Sequence, residues 1–211
     1  EYAAGLGGGV VVIGPGEYLM RDSLHLRSRV TVRGTPGKTV LRKAASARSG
    51  LVLDGDCGEE QITVADPAGF SVGVGVAVSD DAAPGGFYRT VATITGAEGN
   101  TFRISKPLTM DFMVARKARA VTVFPVISGY HLQDVAVEDV IVDGNRGQNE
   151  GLDGCRGGGI YLFRVERAAI RRCVARDYHG DGISFQQSGD AVVEECVCEG
   201  NAALGLHPGS G

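Results

Sequence analysis

The residues best suited to proton transfer lie in the segment Arg176-Asp177-Tyr178-His179-Gly180-Asp181-Gly182, with a further imidazole, His207, in Gly205-Leu206-His207-Pro208. Carboxylates and imidazoles are the side chains whose proton affinity neighbours tune most readily toward a working pH, so the chemistry on offer is general acid and base catalysis. In an extended turn, alternation would aim Asp177, His179 and Asp181 to one side. We expect Asp181 and His179 to transfer protons, His207 to act as a second acid or base, and Asp177 to orient the others or to bind calcium. Carboxylates could also hold calcium, which prefers several oxygen ligands, and the metal is left unknown.

A repeat must position these groups. Asp134, Glu138, Asp139 and Asp143 are each followed 33 residues later by an arginine, at Arg167, Arg171, Arg172 and Arg176. Another 23 residues on, each arginine meets an acid, at Asp190, Glu194, Glu195 and Glu199. Apolar positions keep the same register, as in Val137, Ile170 and Val193 or Val140, Cys173 and Cys196. Such a period is the mark of a solenoid whose units bury their apolar faces against one another. The segments alternate, are β-branched and are broken by glycine, which gives short strands rather than helices. Equivalent residues then stack about 4.8 Å apart. Alternating acid and arginine turns like-charge repulsion into attraction of roughly 0.2–1 kcal/mol per exposed pair. We assign these twelve residues to register and solubility.

The pairs Gly159-Ile160, Gly182-Ile183 and Gly205-Leu206 recur every 23 residues, so the longer first interval holds ten extra residues between Asn145 and Gly159. That bulge carries Glu150, Asp153 and Arg156. Within the repeat, Asp177 aligns with Gly144 and Gly200, and Asp181 with Gly158 and Leu204, so the acidic turn departs from its own columns. His207 points outward in the column of Tyr161 and Ser184. Together with Gln186 and Gln187, which can bond sugar hydroxyls, these residues would line a groove suited to a linear polymer. Tyr161, Gln186, Gln187, Asp153 and Arg156 are therefore the expected substrate contacts. His25 and His131, each early in an alternating segment, read as structural.

The chain has 211 residues, 43% of them hydrophobic, enough for a sizeable core. Its 33 glycines suit a turn-rich β protein, and a net charge of −4 gives no general field for nucleic acid. Seven basic and no acidic residues between Ser23 and Leu53 read as the solvated face of an early coil. No apolar run is long enough for a membrane span. Five cysteines show no zinc spacing; Cys173 and Cys196 share an inward column, where free thiols pack as small hydrophobes. Strand signals place β-helix coils over 1–56, a small β insertion over 57–120 with a turn tip at Pro84-Gly85-Gly86, and regular coils over 121–211. The insertion either grips substrate or covers an end. The last coil is unfinished at Gly211, and the expectation is a fragment of a longer solenoid, or else an end covered by a partner, with the oligomeric state unknown.

The opening Gly7-Gly8-Gly9-Val10-Val11-Val12-Ile13-Gly14-Pro15-Gly16 resembles the first coil of right-handed parallel β-helix proteins of the pectate-lyase type. Gly180-Asp181-Gly182-Ile183-Ser184-Phe185-Gln186-Gln187 and, one coil later, Gly205-Leu206-His207-Pro208-Gly209 are similar to consecutive strand motifs of polygalacturonase-type glycosidases. The resemblance implies an all-β, right-handed parallel β-helix, a polysaccharide substrate, and a secreted, cell-surface or periplasmic location. It places Asp181 on a motif aspartate and His207 near a glycine-flanked histidine. The adjacent aspartate pair of those glycosidases is missing, and hydrolysis needs two carboxylates flanking the bond. Related lyases and epimerases instead use a base to take the proton alpha to a uronate carboxylate, which a cation or arginine neutralises; Arg156 or basic residues of the insertion would serve. A noncatalytic adhesin, tailspike-like stalk or glycan-binding module is the alternative that the same repeat allows.

Overall fold

A computed structural model describes residues 1–82 and 86–209. The expected tip at Pro84-Gly85 lies outside the described residues, as does Gly211; Gly86 opens a short 3-10 turn, Gly86–Tyr88. The chain divides into two compact units, Glu1–Ala44 with Pro125–Gly211, and Ala45–Phe124.

The first unit is a parallel β-helix built from three five-stranded sheets. Gly9–Val12, Val30–Arg33, Gln133–Glu138, Glu166–Arg171 and Val192–Glu194 form one sheet. Gly16–Met20, Thr39–Lys43, Ile141–Asp143, Val174–Arg176 and Val197–Glu199 form the second. Leu24–His25, Ile127–Tyr130, Ile160–Phe163, Ile183–Gln186 and Leu206–Pro208 form the third. Every neighbour in these sheets is parallel, and the winding is right-handed, the hand that connections between parallel strands take almost without exception. The inward columns read from sequence are aligned as expected: Val137 pairs with Ile170 and Ile170 with Val193. They fill a core with Val32, Leu41, Val142, Ile160, Ala175 and Ile183.

The corners are made by residues with positive φ. His131, Arg164 and Gln187 stack at the exit from the third sheet, Arg29, Asp134, Arg167 and Asp190 at the entry to the first, and Asp139, Arg172 and Glu195 between the first and second. A non-glycine residue in this left-handed region costs on the order of 1 kcal/mol. Charge pairing compensates at two of these corners. Arg167 grips Asp134 at 2.6 and 3.1 Å, and Arg172 grips Asp139 at 2.8 and 2.9 Å, both bidentate.

Along the first sheet the charge column starts one coil before the sequence repeat shows it: Arg33 donates to Glu138 at 2.8 Å, and Arg171 lies between Glu138 and Glu194. Arg176 pairs with Asp143 at 3.1 Å. Asp190, Glu195 and Glu199 form no ion pair among the described residues. All five cysteines are free thiols.

The second unit is a six-stranded antiparallel sheet in the order Arg48–Gly50, Arg119–Thr122, Gly75–Ser79, Thr90–Glu98, Thr101–Ile104 and Gln61–Thr63. It has its own core, with Ile62, Val64, Val76, Val78, Ile94, Phe102 and Phe112 buried and Phe70 tilted against Phe102 at 5.7 Å. The unit begins at Ala45 and ends at Phe124, whereas the strand signals place the insertion over 57–120. The segment 51–53, inside the span 1–56 expected to form coils, lies in this unit, where Leu51 bridges Val64 in antiparallel fashion.

Candidate functional site

The outer face of the third sheet carries the chemistry. Because the pleat alternates, Ile127, Ile160, Ile183 and Leu206 face inward in register, and their successors form an outward column of His25, Ser128, Tyr161, Ser184 and His207.

At the carboxy-terminal end of this column Asp181 meets His207. Oδ2 of Asp181 lies 2.6 Å from Nδ1 of His207, while Oδ1 accepts the backbone N–H of Leu204 at 3.0 Å. The Asp181 side chain is 3% exposed and that of His207 28%. The carboxylate is therefore fixed by two partners and fixes the ring in turn. With Nδ1 engaged, Nε2 is the nitrogen left to exchange a proton with a substrate.

The bulge anticipated between Asn145 and Gly159 exists, and it folds down onto this column. Asn149 anchors it by donating to the carbonyls of Ala44 and Asn145, both at 3.1 Å. Leu152 then bridges Gly180 in parallel fashion. The Gly154 carbonyl accepts Ser184 Oγ at 2.6 Å and Gln186 Nε2 at 3.2 Å, and Tyr161 OH donates to the Cys155 carbonyl at 2.8 Å. Gly154 is required by close approach: a Cβ there would overlap the Asp181 carboxylate and lie 2.5 Å from His207 Nδ1.

The expected residues are thus only partly united. Asp181 and His207 form a dyad. His179 does not join it; its Nδ1 donates to the Asn149 carbonyl at 2.7 Å, holding the bulge. Asp177 is aimed elsewhere, because its φ of 49° makes it a left-handed corner and breaks the alternation assumed for an extended turn. Its side chain is exposed beside Gly200. Tyr161 and Gln186, expected as open sugar contacts, are buried under the bulge, and burial raises the Tyr161 pKa. Gln187 stays exposed and accepts from Arg164 Nε at 2.8 Å. Arg156, expected to meet a uronate carboxylate, donates to Asp153 at 2.6 Å within the bulge. Among the described residues no three His, Cys, Asp or Glu side chains are grouped to hold a metal ion, and no helix is long and apolar enough to cross a membrane.

At the opposite end of the column stands a second constellation, built on His25, a residue expected to be structural. His25 Nδ1 lies 3.0 Å from Ser128 Oγ, and His25 Nε2 lies 3.2 Å from Asp22 Oδ2. The only signal in the sequence was the Asp22 and His25 spacing of three; Ser128 is 103 residues away, beyond the inserted unit.

The three parallel sheets and the inserted antiparallel unit define a right-handed parallel β-helix protein. Solved structures that the chain matches include the tailspike of Acinetobacter baumannii bacteriophage AP22, solved in complex with A. baumannii capsular saccharide (11% identity, 97% of this chain and 42% of that one, TM-score 0.35). The tailspike of Pseudomonas phage phi297 matches at 12% identity, over 97% of this chain and 44% of that one, with a TM-score of 0.36. The A-module of an Azotobacter vinelandii mannuronan C-5 epimerase, AlgE4, matches at 17% identity, over 97% and 46%, with a TM-score of 0.43. The chain spans less than half the length of each of these three proteins. No protein-family profile and no curated protein sequence matches it.

Proposed function

We propose that the protein is a carbohydrate-active enzyme of secreted, cell-surface or periplasmic location that acts on a polysaccharide, with His207 as the proton-transferring base and Asp181 as the residue that orients it. The observation that carries this reading is the 2.6 Å contact between Asp181 and a partly exposed His207. A buried carboxylate on one ring nitrogen selects the tautomer whose other nitrogen accepts a proton, and it stabilises the imidazolium that results.

Within that class, proton abstraction alpha to a uronate carboxylate suits the site better than hydrolysis. Hydrolysis needs an acid and a base on two sides of the bond, and the remaining candidates are committed otherwise: Asp153 to Arg156, and Asp177 to an exposed corner. Elimination or epimerisation needs one base and a neutralised carboxylate. Because Asp153 already holds Arg156, the neutralising charge in this reading comes from a cation that accompanies the polyanionic substrate.

The test is a screen on uronate-containing and neutral polysaccharides that follows reducing ends and the ultraviolet absorbance of unsaturated uronates together, with NMR of the product to detect epimerisation. Turnover with either uronate signal, lost in Asp181→Asn and His207→Gln, is expected. Reducing ends without absorbance would instead mean a hydrolase. Turnover undiminished in Asp181→Asn would reject the dyad, and binding without turnover would make the protein a noncatalytic glycan-binding module.

A further inference from the structure

We propose that Asp22, His25 and Ser128 form a second catalytic site, a serine acyl-hydrolase centre that takes short-chain acyl esters. The hydroxyl, imidazole and carboxylate are in line: Ser128 Oγ to His25 Nδ1 at 3.0 Å, then His25 Nε2 to Asp22 Oδ2 at 3.2 Å. A carboxylate only accepts, so Nε2 carries the proton and Nδ1 presents its lone pair to the Ser128 hydroxyl. This is the pairing in which a base activates a nucleophile while a third group orients the base, and it is recognised by roles rather than by chain order. The two ring nitrogens exchange their usual duties here; either can take the proton.

The scaffold holds all three in place. Asp22 Oδ1 accepts the Ser23 N–H at 2.7 Å, and Ser23 Oγ donates to the Pro125 carbonyl. The backbone N–H groups of Leu24 and Leu26 donate to the carbonyls of Val126 and Ser128 at 2.9 and 2.8 Å, which fixes the strand bearing His25 against the strand bearing Ser128. The site is separate from the Asp181 and His207 dyad, four rungs away in the same outward column, or roughly 19 Å at about 4.8 Å per rung. It does not rest on the reading of that dyad.

The chemistry balances with water alone. Ser128 Oγ bonds to the ester carbonyl carbon as its proton moves to His25 Nδ1; the tetrahedral adduct collapses, the ester C–O bond breaks, and the alcohol leaves with that proton. Water, deprotonated by the same nitrogen, then releases the acid and restores the serine. Ser128 is 1% exposed, whereas the side chains of His25 and Asp22 are 45% and 39% exposed. A substrate therefore approaches along the imidazole, and the acyl group that it presents to Oγ is short. An O-acetyl substituent on a saccharide hydroxyl meets both requirements, since an alcohol leaves more readily than an amine.

The test combines covalent labelling with turnover. A small fluorophosphonate should add one phosphonyl group to the wild-type protein, mapped by peptide mass to Ser128. Hydrolysis of p-nitrophenyl acetate should fall at least about 100-fold in Ser128→Ala and His25→Gln, the loss expected when an activated nucleophile or its base is removed. Labelling confined to other residues, or no labelling at all, overturns the proposal from the wild-type protein alone, whatever the variants do. Hydrolysis unchanged in a folded Ser128→Ala overturns it as well.

Discussion

Arg33 donates to Glu138 at 2.8 Å across 105 residues of chain, so the coil before the inserted unit and the coil after it are joined by a charge pair as well as by backbone. Glu138 is also within 3.7 Å of Arg171 and 3.9 Å of Arg172, with its side chain 11% exposed. Glu138→Gln keeps the shape and removes the charge amid three arginines. It should destabilise the protein by about 1.5–3 kcal/mol, the usual worth of a hydrogen bond to a charged group. Urea unfolding at low and high salt checks this, and the deficit should shrink as salt screens the arginines.

The dyad has a steric dependence that leaves its own side chains untouched. Gly154→Ala would drive a methyl into the Asp181 carboxylate and against His207 Nδ1, and it should abolish polysaccharide turnover. Gly147→Ala, at a bulge position with open space around it, should leave turnover unchanged. Comparing the two variants by kcat separates the close approach from any general intolerance of the bulge to alanine.

Lys43 is almost wholly buried beneath the Tyr178 ring, 5.1 Å from its centroid, and burial lowers its pKa from 10.5 to about 7. Between those values the unfolded chain holds a proton that the folded protein lacks, so stability must rise with pH across that window. Lys43→Met should be more stable than the wild type below pH 7, by an amount on the order of a few kcal/mol. The advantage should fade as pH approaches 10. Urea midpoints at pH 6 and pH 9 for both proteins decide it.

Cys173 and Cys196 are stacked on adjacent coils, where each thiol donates to a backbone carbonyl, Cys173 to that of Arg171 and Cys196 to that of Glu194, both at 3.3 Å. The interaction between the two thiols, with burial, raises the Cys173 pKa, and the same interaction lowers that of Cys196 to about 6. At pH 7 iodoacetamide should modify Cys196 in the folded protein and leave Cys173 untouched until the chain unfolds. Cys173→Val should slow the reaction at Cys196. Peptide mass spectrometry over time, with exposed Cys57 and Cys155 as internal references, provides the measurement.

The coil register was legible because the strands of the last three coils are close in sequence: Val137, Ile170 and Val193 announce one another. Arg33 belongs to the same ladder, yet an inserted unit of 80 residues, Ala45–Phe124, hides its partner. The same gap hides Ser128 from His25. The acidic turn failed for a local reason. Alternation holds only where φ is negative throughout, and Asp177 at +49° turns its side chain away from Asp181. The bulge could be counted but not placed. Its landing on Ser184, Gln186 and Tyr161 depends on the carbonyls of Gly154 and Cys155, which no side-chain pattern records. The Asp181 and His207 contact was within reach because Ser184 and His207 stand one repeat apart, and Asp181 lies only three residues before Ser184.

The link from the second sheet to the third is where chain length varies. It carries the inserted unit between Lys43 and Ile127, the bulge between Asp143 and Ile160, and only short turns between Arg176 and Ile183 and between Glu199 and Leu206. The link from the first sheet to the second is far more uniform; it spans two residues in each of the last three coils. New sequence can therefore enter or leave at that one corner without shifting any of the stacked strands, and the solenoid offers a single seam along which it can be re-equipped.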